Sequence, residues 1–179
     1  MKTITTWIMA GFGFLYSLCG FANPEQAALS VWVNEAIVTT YSFSYKNFIQ
    51  DQKQIAKYFT ADAWIAYSNA MNEAKLPESV QKNLYFVRAV ATEPPTLNKI
   101  DATNWNATMP VLVVYENAQY KQRQNLKVSI TFAQAPAGRG IRGWNITSFR
   151  AVPTQPPCQC AVEEETPETN PPPATNAKP

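Results

Sequence analysis

The stretch "MPVLVVYENAQYKQRQNLKVSITF", residues 109–132, sets two apolar runs on either side of a polar middle. Read from slightly upstream, Trp105, Ala107, Met109, Val111, Val113 and Tyr115 fall at every second position. The second run repeats the pattern with Leu126, Val128, Ile130 and Phe132, while Lys121, Arg123, Lys127 and Thr131 take the other parity. Period two is the spacing of a half-buried strand, because successive side chains leave a strand on opposite faces. The pair therefore reads as an antiparallel hairpin with one dry face and one wet face. Pro110 has no N–H to give to a ladder, which predicts a bulge or an edge strand at that point.

Two further strands flank the hairpin. "LYFVRAVATE" (84–93) is rich in strand formers and is stopped by Pro94 and Pro95; "IRGWNITSFRAV" (141–152) follows the loop "APAGRG". The first half of the chain has a different period. "NPEQAALSVWVNEAIVTTY" (23–41) offers Asn23 as N-cap and Pro24 at the first helical position, then Leu29, Trp32, Val33, Ala36 and Ile37 on one face. "YSFSYKNF" (41–48) reads as a helix end and a turn. In "YFTADAWIAYSNAMNEA" (58–74), Thr60 can cap a helix whose Trp64, Tyr67, Ser68 and Met71 share a face. Pro77 opens one more helical turn. Three or four helical segments followed by four strands make an α+β domain, with N-terminal helices packed on a curved four-stranded antiparallel sheet.

At 179 residues and 46% hydrophobic, the chain is long enough to bury one core. Its net charge of +2 is too small to argue for nucleic acid. The charge is uneven, however. Residues 23–151 carry 13 Lys/Arg against 9 Asp/Glu, whereas from Val152 onward Glu163, Glu164, Glu165 and Glu168 face Lys178 alone. There is no histidine, so a Ser-His-Asp or Cys-His nucleophile pair cannot be assembled within the chain, and His-containing zinc sites are excluded.

The two ends read as appendages. Lys2 followed by an apolar run from Ile4 to Ala22 has the form of a secretory signal peptide over residues 1–22, with cleavage after Ala22. The same run is just long enough to be a retained membrane anchor. A third reading takes Cys19 as a lipid carrier, although Leu18 stands where a lipoprotein signal wants a small residue. Each reading delivers the domain, residues 23–152, beyond the cytoplasm. The segment 153–179 is rich in Pro, Glu and Thr and nearly free of apolar residues, a composition expected to be disordered.

Few residues invite chemistry. Cys158 and Cys160 form a possible disulfide, and outside the cytoplasm such thiols tend to be oxidised. A bridge across one residue closes a small, strained and therefore reducible ring, so the sharp reading is a redox switch or an intermolecular tether; the plain one is an inert pair. Asp51, Asp62, Glu73 and Glu78 form no recognisable acid pair, and "AGRGIRG" lacks the Lys-Ser/Thr of a phosphate loop and reads as a flexible hairpin loop. Nothing points to a cofactor or a metal. Lys121, Arg123 and Lys127 make a basic strand face, by default solvated and alternatively a docking surface for an acidic partner. Trp32, Trp64, Trp105 and Trp144 either belong to the core or line an apolar pocket.

The segments "VNEAIVTTYSFSYKNF", "YFTADAW", "MPVLVVYENAQYKQRQNLKVSITF" and "GIRGWNITSF", in this order and spacing, resemble the DotI/IcmL family of type IVB secretion systems and related conjugation machines. The similarity runs over roughly residues 25–152. It implies a VirB-type periplasmic domain, related to the nuclear-transport-factor-like cone, in a non-enzymatic protein that acts by assembly. Its implied partners are other secretion-system subunits and possible further copies of itself, not nucleic acid. The membrane is a partner only if the N-terminal segment is retained. Typical members keep a cytoplasmic segment and a membrane helix, whereas only Met1–Thr3 precede the apolar run here. An accessory role in the periplasm is thus as compatible with the resemblance as a core scaffold role. The rival readings are a periplasmic small-ligand binder using the cone, and a thiol-redox protein using Cys158 and Cys160.

Overall fold

A computed structural model of the chain describes residues 24–154 and the backbone of 158–161. The N-terminal segment read as a signal peptide or anchor, and most of the acidic tail, lie outside the described residues. Helices α1 (Pro24–Thr40), α2 (Phe48–Ala56), α3 (Ala61–Glu73) and α4 (Leu76–Lys82) precede nearly all of the sheet. The strands are β1 (Phe43–Ser44), β2 (Phe86–Ala91), β3 (Thr96–Lys99), β4 (Asn104–Glu116), β5 (Tyr120–Gln134), β6 (Trp144–Pro153) and β7 (Cys158–Ala161). They form one antiparallel sheet in the order β1-β2-β4-β5-β6, with β3 also on β4 and β7 also on β5.

The α+β class and the helix-then-strand order match the sequence. The expected count of four strands does not: β2, β4, β5 and β6 are joined by three short strands. Each of these is too short or too polar to show a period. β1 is two residues inside the segment read as a turn, β3 is "TLNK", and β7 comes from the segment assigned to the tail. α2 was also not legible, because its inward face is Phe48, Asp51, Gln52 and Ile55, half of it polar, and only Ile55 is fully buried.

The hairpin forms as expected, with Trp105 opposite Phe132, Met109 opposite Val128 and Val111 opposite Leu126. Its turn is held by Asn117, whose side-chain oxygen accepts from the Gln119 and Tyr120 amides at 2.8 and 2.7 Å. Pro110 is a correction. It pairs with Lys127 in regular register on an interior strand, neither bulged nor at an edge. β2 pairs as far as Val111 and β3 starts at Thr108, so residues 109 and 110 face the break between them. The Pro110 carbonyl accepts from Thr92 at that break. The missing N–H therefore falls where no partner strand needs it.

The core lies between the helices and the inward parity of the sheet. Trp32, Val33, Ala36 and Ile37 of α1 are fully buried with Met109, Val111, Val113, Val128, Ile130 and Phe132. Trp32 packs against Phe132 at 5.0 Å between ring centroids, and its indole N–H donates to the Ile141 carbonyl at 2.8 Å. α3 starts as predicted, with the Thr60 hydroxyl accepting from the Ala63 amide at 3.3 Å. Around it the rings of Phe59, Tyr67 and Phe149 pack mutually at 5.2 to 5.8 Å between centroids. A register shift between Thr131 and Phe132 against β6 turns Ile146 inward and supplies part of the sheet's curl.

Burial pushes the Tyr115 hydroxyl up to about 12. Burial also drives Tyr41 and Tyr67 well above the ordinary tyrosine range, with a smaller push on each from neighbouring tyrosines. All three stay protonated in the folded state at pH values where the unfolded chain has lost its tyrosine protons. Stability is therefore complete below about pH 10 and falls as pH rises toward and past 12. The slope is about 1.4 kcal/mol per pH unit per tyrosine, or roughly 4 for the three together. Urea midpoints measured from pH 8 to pH 11.5 should stay flat to about 10 and then drop steeply, and Tyr115→Phe should make the drop shallower.

Candidate interaction surface

The face of the sheet turned away from the helices follows from the register. Along β5 the outward parity gives Lys121, Arg123, Asn125, Lys127, Ser129 and Thr131. Opposite them on β4 stand Glu116, Val114, Leu112, Pro110, Thr108 and Asn106. β2 adds Phe86, Arg88 and Val90, and β6 adds Arg150 and Val152. The three basic residues read from the sequence are thus brought together on one outer face. Arg88 and Arg150 extend it, both carried there by the alternation in "FVRAVA" and "SFRAV".

The cations are not equivalent. Lys121 is half-buried and lies 3.8 Å from Glu116, which also pairs with Arg88. Arg123 and Lys127 are exposed and, among the described residues, form no ion pair. Apolar side chains alternate with them: Val90 is 58% exposed and Val152 45% exposed, with Leu112 and Pro110 between.

Cys158 and Cys160 take register positions opposite Arg123 and Lys121 on β7. In an extended strand the α-carbons of residues two apart lie about 6.6–6.8 Å from each other, at the far end of the range a disulfide spans. A bridge between these two cysteines would bend β7 away from β5.

The four tryptophans considered as a pocket lining are spent on packing. Trp32 and Trp105 are buried, Trp105 beneath the Lys99 ammonium at 5.3 Å. Trp64 lies against Phe59 and Tyr67, and Trp144 against Phe132. The loop "AGRGIRG", expected to be flexible, is pinned to α1. Besides the Trp32 bond to Ile141, Arg142 pairs with Glu35 at 2.6 Å, and Glu35 also accepts from the Tyr58 hydroxyl at 2.6 Å. That contact and burial together raise the Tyr58 pKa, burial being the larger cause. Asp51 accepts from the Ser44 amide at 2.9 Å and ties α2 to β1. Among the described residues there is no cluster of three or more acidic or sulfur side chains able to hold a metal. No helix among them is long and apolar enough to cross a membrane.

A helical layer closing one side of a curled antiparallel sheet is the fold of the DotI periplasmic domain. The chain belongs to the DotI/IcmL family, described as an inner-membrane complex component of type IVb secretion systems, which it matches over residues 13–153. An IcmL-like type IV secretion system protein from Legionella pneumophila subsp. pneumophila str. Philadelphia 1 is 60% identical, with a TM-score of 0.72. The match covers 78% of this chain and 100% of that one. The periplasmic domain of DotI shares the fold at 24% identity and a TM-score of 0.67, over 75% of this chain and 99% of that one. CagV, a VirB8 homologue from Helicobacter pylori strain 26695, shares it at 12% identity and a TM-score of 0.57, over 72% and 99%. Among curated proteins, none matches the chain in sequence.

Proposed function

We propose that this chain is a non-enzymatic periplasmic assembly or accessory component of a type IVB secretion apparatus, working by protein–protein contact. Its partners are other subunits of that apparatus and further copies of itself. Residues 1–22 export it or anchor it to the inner membrane, residues 23–152 are the working body, and residues 153–179 are an appendage. Membership of the DotI/IcmL family supports the apparatus, and the leader-like start of the chain supports the compartment.

The observation that carries the contact role is the outer face. Arg123 and Lys127 stand unpaired among the described residues, beside Val90, Leu112 and Val152. The earlier expectation of an edge near Pro110 is replaced by this face, since Pro110 is interior to the sheet. Such a face steers an acidic partner and excludes water from its apolar residues once docked. Affinity isolation of the chain from cells carrying the apparatus should recover other secretion-system subunits. Arg123→Glu with Lys127→Glu should cut that recovery about ten-fold, equivalent to about 1.4 kcal/mol of binding. Unchanged recovery by the double variant, or normal secretion in a strain lacking the chain, would refute the reading.

A further inference from the structure

β6 ends the strand order on its side of the sheet. At its start the outer edge is taken: the Ile146 N–H donates to the Tyr58 carbonyl at 2.7 Å, and the Ile146 carbonyl accepts from the Thr60 amide at 2.9 Å. The register shift at Thr131 and Phe132 then changes which residues face outward. At the far end the Thr154 amide donates to the Asn125 carbonyl at 2.9 Å, on the β5 side. Alternation back from that bond gives Arg150 and Val152 to β5 and turns the N–H and C=O of Phe149 and Ala151 outward. Among the described residues nothing bonds to these outward groups. Pro153, next in the outward parity, has no N–H and ends the open stretch.

A groove of about 440 Å³ runs beside this open edge, between β6 and α3. Exposed Ala66, Ala70 and Ala74 line its helix side, and Phe149 and Ala151 line its strand side. Side chains of a strand laid on β6 would alternate between this groove and the outer face, where Arg150 stands. Arg150 is exposed and, among the described residues, forms no ion pair. Asp62 also lines the groove, so a carboxylate is favoured beside Arg150 and opposed inside the groove.

A second copy fits this edge poorly. The two-fold antiparallel register that bonds Phe149 to Ala151 of the other molecule sets Arg150 against Arg150, and like charges directly opposite repel. Sliding one way brings in Pro153, and sliding the other way meets the segment already bonded at Ile146. We propose that the β6 edge takes an extended segment of a different protein as an added strand, with an acidic residue opposite Arg150 and an apolar residue on each side of it seated in the groove under α3. Main-chain bonds to Phe149 and Ala151 hold the segment, and the groove and Arg150 select it. This contact is edge-on and separate from the Arg123 and Lys127 face, so its test does not depend on that face.

Amide NMR of the full chain tests this with two end-blocked pentapeptides as probes, Thr-Val-Glu-Val-Thr and Thr-Val-Lys-Val-Thr. In the chain alone the Phe149 and Ala151 amides should exchange quickly, and those of Arg150 and Val152 slowly. Millimolar glutamate peptide should shift and protect the Phe149 and Ala151 amides. The lysine peptide should bind about five-fold more weakly, because its charge repels Arg150 across the strand pair. Arg150→Glu should reverse that preference. Ala70→Leu, at an exposed position, fills the groove and should weaken both peptides about five-fold. Slow exchange at Phe149 and Ala151 in the chain alone would overturn the proposal, since the edge would already be filled from within. So would shifts there on dilution, which would make the occupant a second copy, equal binding of the two peptides, or no shift at these amides with either.

Discussion

Replacing Trp32 with alanine should destabilise the domain by about 3–5 kcal/mol. The residue is 1% exposed at the centre of α1 and packs on both Phe132 and Tyr58. Truncation empties the space between helix and sheet and leaves the Ile141 carbonyl without its indole donor. For a domain of this size, whose total stability is of order 5–15 kcal/mol, that is a large share. The loop carrying Ile141 should loosen as well, so Ile141 and Arg142 should lose amide protection before the strands do. Val31, one residue away but 59% exposed, is the control: Val31→Ala should change stability by no more than about 0.5 kcal/mol. Urea denaturation of the three proteins decides it. Near-equal midpoints would show that the space under α1 is not the packed core described here.

Gly140→Ala should cost about 2–5 kcal/mol, from about 1–2 for a left-handed backbone and about 1–3 for overpacking. Gly140 has φ of +70°, and a β-carbon there would sit 2.5 Å from the Trp144 carbonyl oxygen and 2.6 Å from the Asn145 side-chain oxygen. The first is backbone of β6, which cannot step aside as a flexible side chain would. Gly138 in the same loop also has positive φ but meets nothing within 4 Å. Gly138→Ala should thus show only the backbone part, about 1–2 kcal/mol. Equal losses at the two glycines, measured by urea denaturation, would contradict the close approach at Gly140.

The parts legible in the sequence were those that repeat. Period-two alternation marked the hairpin, and period 3.6 marked the buried face of α1, because each repeat reports burial on one side of one element. Partnership was not legible. Trp32 reads as core from its spacing, yet its hydrogen-bond acceptor lies 109 residues away at Ile141. Lys127 reads as outward-facing, yet only the register sets it between Pro110 and Val152. Arg88 and Arg150 carried the same alternation signal as Lys127, and they join one surface only once β2 and β6 are placed on either side of the hairpin. Pro110 misled for a related reason. A proline signals a missing donor, and whether that donor matters depends on where β2 stops and β3 begins.

The contact role stands or falls on what touches the outer face in the cell. A photo-crosslinking residue placed at Arg123 or Lys127 in cells carrying the apparatus should yield adducts with other secretion-system subunits. The same residue at Lys53, exposed on α2, should yield few. Adducts from Lys53 but none from Arg123 or Lys127 would contradict the assignment of this surface.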